Sequence, residues 1–96
     1  MIATMISGRL KEPATRRLTD KSKTLTTAQM IATDDANRAQ LVLLETLDDD
    51  IGRSLRLLLA GASLTVTGAA TVLPLGRLKI RVRTVATLAA AGIQES

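Results

Sequence analysis

Residues 76–88 read GRLKIRVRTVATL, and cationic and apolar side chains alternate along the first half of this stretch. The cations at every second position are Arg77, Lys79, Arg81 and Arg83. Successive side chains of a β-strand point to opposite faces, so this spacing predicts a strand with one apolar and one cationic face. A charged strand face can simply be solvated. However, these four like charges repel one another and no acid lies between them in the sequence, which favours a face that binds an anionic partner.

The rest of the chain supplies four more predicted strands. Alternating or β-prone segments place them at residues 2–10, 24–33, 39–47 and 62–73. Residues 41–44 (LVLL) do not alternate, which is typical of a strand covered on both faces, by the core on one side and by a partner subunit on the other. Residues 11–23 contain Pro13 and five cations, and we expect a long basic loop there.

One helix is predicted, over residues 48–60. Asp48, Asp49 and Asp50 can cap its first turn and interact favourably with the positive end of the helix dipole. From Ile51 onward, apolar residues recur at the spacing of a single helical stripe that ends at Leu59. The three aspartates could instead ligate a metal ion, but capping explains them better at the start of a helix.

The predicted order is therefore three strands, one helix and two strands. It matches a mainly β fold, the five-stranded oligonucleotide/oligosaccharide-binding (OB) barrel, with one helix between strands 3 and 4. We expect one OB-fold domain over residues 1–88 and a C-terminal tail over residues 89–96.

Composition excludes several classes of function. The 96 residues include no Cys and no His, which removes disulfides, thiolate metal sites and the commonest general base. We therefore expect no enzyme and no cofactor. The sequence has no apolar run of about 18 residues, and its first ten residues lack a charged region followed by a long apolar one. We expect no membrane span, no secretory signal and a cytoplasmic protein.

The net charge of +4 is unevenly distributed. Residues 1–23 carry six Lys or Arg and two acidic residues. Residues 24–75 carry three Lys or Arg and six acidic residues, and residues 76–96 carry four Lys or Arg and one acidic residue. Basic ends around an acidic middle predict one cationic surface built from both ends of the chain. Nucleic acid is the usual partner of such a surface.

Three segments give the sequence a resemblance to a known family. The first is GRLKEPATRRLT, residues 8–19, in which Gly8, Leu10, Pro13, Arg16 or Arg17, and Thr19 are at matching positions. The second is AQMIAT, residues 28–33, which is followed by acidic residues. The third is IGRSLRLLLAGASLTVTGAAT, residues 51–71, in which Gly68 is at a position where the family has glycine. In this order they resemble the bacterial single-stranded DNA-binding protein family, including its primosomal replication protein N branch.

The resemblance implies binding of single-stranded nucleic acid, with DNA favoured over RNA, by a homodimer or homotetramer that acts with replication proteins in replication, repair or recombination. Unlike the family, the sequence has no Phe, Trp or Tyr, and Met30 lies at a strand position that is commonly aromatic. Binding would then be non-sequence-specific and would depend on Lys and Arg contacts to phosphates and bases. The candidate residues are Arg9, Lys11, Arg16, Arg17, Lys21, Lys23, Arg38, Arg77, Lys79, Arg81 and Arg83.

An alternative interpretation is that the protein is an assembly or protein-interaction module. Such a protein would keep the OB fold, would lack base stacking and would not bind DNA tightly. The absence of aromatic residues and the apolar run at residues 41–44 favour this alternative.

Overall fold

The computed structural model describes residues 2–33 and 38–87, which form six strands and one α-helix. The strands are β1 (Ile2–Leu10), β2 (Thr15–Leu18), β3 (Thr24–Thr33), β4 (Ala39–Thr46), β5 (Ser63–Val72) and β6 (Leu78–Thr87). The helix, α1, spans Asp49–Arg56, and a 3-10 turn over Pro74–Gly76 joins β5 to β6. Residues 34–37 and the predicted tail at residues 89–96 lie outside the described residues.

Five of the strands close into a barrel. The sheet order is β1-β5-β6-β4-β3-β2, and β1 pairs with β3 as well as with β5. The pairings are antiparallel except that of β4 with β6, which run parallel. The ring β1-β5-β6-β4-β3 is the predicted five-stranded OB barrel, and β2 is added to the edge of β3.

The predicted order of elements is wrong in one respect. Residues 11–23 are not a loop throughout, because Thr15–Leu18 forms β2, antiparallel to β3. All four side chains of β2 are exposed, so the sequence has no alternation of apolar and polar residues there to indicate a strand. With β2 counted, the helix lies between β4 and β5, not between strands 3 and 4.

Aliphatic side chains on the inward faces of the strands form the core. The most deeply buried include Leu10, Met30, Val42, Leu44, Leu55, Val66 and Ile80. Two glycines permit close approaches of backbone around this core. A Cβ atom at Gly8 would collide with the carbonyl oxygen of Ile31, and one at Gly68 would collide with that of Arg81. Gly68 also lies at a register shift between β5 and β6.

The start of α1 confirms the predicted capping role of the aspartates. Oδ1 of Asp48 accepts hydrogen bonds from the backbone N–H groups of Asp50 at 2.9 Å and Ile51 at 3.0 Å. Among the described residues, no group of three or more acidic side chains could hold a metal ion. None of the helices formed by residues 2–33 and 38–87 is long and apolar enough to cross a membrane.

The helix is shorter than predicted. Leu55 is buried, and Nη1 of Arg56 donates a 2.9 Å hydrogen bond to Oγ1 of the buried Thr26 on β3. Helical structure ends at Arg56, and Leu59 is 78% exposed. The predicted apolar stripe therefore does not extend to Leu59.

Candidate nucleic-acid interface

Outward side chains of β2, β3, β4 and β6 form one continuous surface. Directly opposite residues of paired strands point to the same side, so the strand registers show which side chains are neighbours. One cross-strand row contains Thr15, Thr27, Glu45 and Arg81, and the next contains Gln29, Leu43 and Lys79. We call the surface made of these seven residues the β4 face.

A pocket of about 210 Å³ opens on the β4 face. Apolar parts of its lining include Pro13, from the segment before β2, and the half-buried Leu43. Its polar and charged lining consists of Glu12, Thr15, Thr27, Gln29, Glu45 and Lys79. The pocket thus offers hydrogen-bonding groups beside an apolar surface.

Glu45 joins two cations of β6. Its Oε1 accepts hydrogen bonds from Nε of Arg81 at 3.1 Å and from Nη2 at 2.9 Å, and Nζ of Lys79 lies 3.4 Å from the same oxygen. Burial disfavours the charged form of Glu45, whose side chain is only 16% exposed. The hydrogen bond and charge of Arg81, together with Lys79, outweigh that effect, so the pKa of Glu45 lies below its ordinary value of 4.5.

The cationic face predicted for β6 is therefore of mixed charge. The sequence has no acid between Arg77 and Arg83, but the parallel pairing of β4 with β6 places Glu45 directly beside Arg81. Glu45 was not among the residues predicted for this site. Its only signal was local, because Glu45 follows Leu41 and Leu43 at every second position of the predicted strand.

The other two predicted cations of β6 are both exposed. Arg77 immediately precedes the strand. Arg83 is the extra residue at the register shift, where the pairing passes from Gly68↔Val82 to Thr67↔Thr84. This bulge places two consecutive exposed residues, Arg83 and Thr84, on β6.

Arg17 borders the β4 face, whereas Arg16 lies on the other side of β2. Thr15 is on the β4 face and shares a 3.2 Å hydrogen bond with Thr27 through their Oγ1 atoms. Side chains two residues apart on a strand point to the same side, which places Arg17 with Thr15. The adjacent Arg16 is paired with the inward-facing Thr26.

Two more predicted cations lie in the turn between β2 and β3. Lys21 and Lys23 are exposed, and the backbone N–H groups of both donate to Oγ1 of Thr19 at 3.3 Å. Their side chains extend the positive charge beyond the Arg17 end of the sheet.

Arg9 lies away from the β6 cations. It is paired with Ser63 at the end of β1 and lines a separate groove of about 840 Å³. Arg9 and Arg81 are out of register in both directions around the barrel. Through β5, Arg81 is level with Ala3, six residues from Arg9; through β4 and β3, Arg81 is level with Thr27, four residues from Ile31, which is the partner of Arg9. Lys11, just after β1, is exposed and lies beside Gln29 of the β4 face, because its backbone N–H donates to the carbonyl oxygen of Gln29 at 2.8 Å. Arg38, just before β4, is also exposed. The eleven predicted cations are therefore not gathered on one face.

Solved structures with the same fold connect this geometry to known proteins. The small single-stranded DNA-binding protein from Streptomyces coelicolor superposes with a TM-score of 0.77 at 11% identity, over 90% of this chain and 91% of that chain. The mitochondrial single-stranded DNA-binding protein Rim1 from S. cerevisiae gives a TM-score of 0.77 at 12% identity, over 90% and 92%. This chain shares its fold with single-stranded DNA-binding proteins.

A third structure bears on the primosomal branch. The N-terminal domain of PriB from Thermoanaerobacter tencongensis, solved as a dimer, has a TM-score of 0.67 at 8% identity, over 88% of this chain and 93% of that domain. No protein-family model and no curated protein matches the sequence. The resemblance that was based on three sequence segments is thus confirmed at the level of the fold.

Met30 does not contribute to the surface. The family resemblance placed Met30 at a commonly aromatic position, where it could contact a base. The side chain is 0% exposed and lies in the core. The outward positions of β3 beside it are occupied by Gln29 and Ile31, so contacts to a ligand on this strand would come from those residues.

Proposed function

We propose that this chain binds single-stranded DNA on the β4 face, without recognising a defined sequence. The observation that carries the proposal is the arrangement of Arg17, Lys79 and Arg81 around a pocket with apolar and hydrogen-bonding groups. Two proteins with the same fold are single-stranded DNA-binding proteins by name. The DNA would run across β2, β3, β4 and β6.

Phosphates and bases would be bound by different parts of this surface. Arg17, Arg77, Arg81 and Arg83 contact phosphates at the borders, and bases lie against Leu43 and the polar side chains of the pocket. Stacking on aromatic rings contributes about 1–3 kcal/mol per base in other proteins. Without aromatics, affinity would depend mainly on charge and would fall steeply with salt.

The remaining predicted residues would extend the path of the strand. Lys21 and Lys23 continue it beyond Arg17. Lys11, beside Gln29, would contact the strand at that border of the β4 face. Contacts from the more distant cations would form only if the DNA wraps around the barrel; these are Arg9, Arg16 and Arg38.

The proposal includes self-association into a homodimer or homotetramer. Several apolar side chains of the described residues are left in solvent, including Met5 at 71%, Leu57 at 76% and Leu75 at 95% exposure. Burial of such side chains between subunits would be favourable. Light scattering after size-exclusion chromatography measures the oligomeric state. A strictly monomeric protein at micromolar concentration would contradict the proposed self-association.

The cellular role follows from the proposed binding. A binder of single strands would act in replication, repair or recombination, beside replication proteins. The cytoplasmic location expected from the sequence stays a prediction.

The proposal is tested by fluorescence anisotropy of a labelled 30-nucleotide oligo(dT), from low to physiological salt. We expect binding at low salt that weakens as salt rises, and competition by unlabelled single strands that is stronger than competition by duplex DNA. Absence of binding at low salt would refute the proposed function and favour the assembly module.

A further inference from the structure

The pocket on the β4 face is poorly suited to a phosphate. Its lining carries the carboxylates of Glu12 and Glu45 and only one cation, Lys79. That cation is already 3.4 Å from Glu45. A phosphate inside would be repelled by two negative charges, whereas a group that donates hydrogen bonds would be attracted.

Glu45 is held in position through one of its two carboxylate oxygens. Both hydrogen bonds from Arg81 and the contact with Lys79 use Oε1. These three contacts leave Oε2 unused. The pKa of Glu45 is lowered, so the carboxylate stays ionised at neutral pH and acts only as an acceptor.

We propose that this pocket takes one nucleobase with an exocyclic amino group, such as cytosine, and that Glu45 accepts a hydrogen bond from the amino group. This inference rests on the proposed function. Carboxylates accept from N4 of cytosine, whereas thymine and uracil have at that position a carbonyl oxygen, which is also an acceptor. Leu43 and Pro13 supply apolar contacts for the face of the ring.

Gln29 adds a second hydrogen-bonding group to the same pocket. It lies beside Leu43 on the neighbouring strand, and its carboxamide has both donor and acceptor atoms. Such a group can adapt to different bases. Glu45, an acceptor only, is therefore the residue that distinguishes the two classes of base.

The test compares labelled 30-nucleotide oligo(dC) and oligo(dU) at pH 7.5 and low salt. These two bases lack the thymine methyl group, and at position 4 one has an amino group and the other a carbonyl. We expect wild type to bind oligo(dC) at least about fivefold more tightly than oligo(dU), the lower end of the discrimination by one good base contact. This comparison needs no variant.

Two variants assign the preference to Glu45. Glu45→Gln is nearly isosteric, and its amide can donate to a carbonyl oxygen, so the ratio of the two dissociation constants should fall to about one. Asp20→Asn removes the same charge from an exposed turn outside the pocket and should keep the wild-type ratio.

Each outcome separates this inference from the proposed function. Equal affinity of wild type for both oligonucleotides would overturn the pocket assignment and leave single-strand binding in place. An unchanged ratio in Glu45→Gln, or an equal fall in Asp20→Asn, would overturn the role of Glu45. Binding to neither oligonucleotide would refute the proposed function itself.

Discussion

Arg81 donates two hydrogen bonds to the same oxygen of Glu45, from Nε at 3.1 Å and from Nη2 at 2.9 Å. The two residues are 36 positions apart and are neighbours only because β4 and β6 run parallel with Glu45 paired to Arg81. A carboxylate in this position competes with any phosphate for Arg81 and Lys79. Glu45 therefore limits the affinity of the face that we propose for DNA.

Removal of the Glu45 charge should strengthen binding to oligo(dT). In Glu45→Gln, Arg81 and Lys79 can turn to phosphates, so affinity at low salt rises and the salt slope becomes steeper by about 0.7 for each additional phosphate that is neutralised. Anisotropy titrations over a series of salt concentrations measure both quantities. Asp49→Asn changes the net charge equally in the exposed first turn of α1, and an identical increase in affinity in that variant would contradict the local explanation.

Glu45 should also make stability depend on acid pH. A carboxyl group with a lowered pKa in the folded state stabilises the fold above its ordinary pKa of 4.5, and this contribution disappears as pH falls through the lower folded value. Wild type should therefore exceed Glu45→Gln in free energy of unfolding at pH 7 and approach it at pH 3. Urea denaturation of both proteins at both pH values measures these free energies. If wild type and Glu45→Gln differed by the same free energy of unfolding at pH 7 and pH 3, the result would be inconsistent with the lowered pKa.

The two arginines of β2 should differ in their effect on DNA binding. Arg17 lies on the side of Thr15 and the β4 face, and Arg16 lies on the other side. Arg17→Ala should weaken oligo(dT) binding more than Arg16→Ala, although both lose one exposed cation from the same strand. Anisotropy titrations of both variants with oligo(dT) at one low salt concentration measure the difference. Equal losses of affinity in the two variants would indicate a general effect of net charge.

Gly8 should tolerate no side chain. A Cβ atom there would collide with the backbone of Ile31 where β1 pairs with β3 and closes the barrel. Gly8→Ala should lower the free energy of unfolding by about 1–3 kcal/mol, as for other overpacked sites. Ser7→Ala, which loses only an exposed hydrogen bond to Thr65, is the control in urea denaturation and should cost less. Equal stability of the two variants would be evidence against a close approach at Gly8.

Much of the fold could be predicted because the decisive patterns are local. The bounds of β1 and β3 agree with the predicted segments at residues 2–10 and 24–33, since alternation and Thr content report directly on strand structure. Asp48 was recognisable as a cap from its position before an apolar stripe. β2 was not predictable, because a short edge strand with four exposed side chains has no apolar periodicity and is stabilised by pairing with β3.

The candidate site was less predictable than the fold. The cations of β6 were visible in the sequence, but the carboxylate beside them was not, because the register of two strands 36 residues apart depends on the whole barrel. Met30 shows the opposite case. It lies at every second position with Ala28 and Ala32, a spacing that favours the core, and the comparison with the family's aromatic position was the weaker guide.

The most direct test of the central claim is the salt dependence of oligo(dT) binding in two double variants with equal charge. Arg17→Ala/Arg81→Ala removes two cations from the β4 face and its border, and Arg16→Ala/Arg53→Ala removes two exposed cations elsewhere. We predict that the first variant binds more weakly than wild type and loses about 1.4 units of the log–log salt slope, about 0.7 for each of two phosphates, while the second keeps nearly the wild-type slope. Equal slopes in both variants would contradict the placement of DNA on the β4 face, and no binding by wild type would contradict the function.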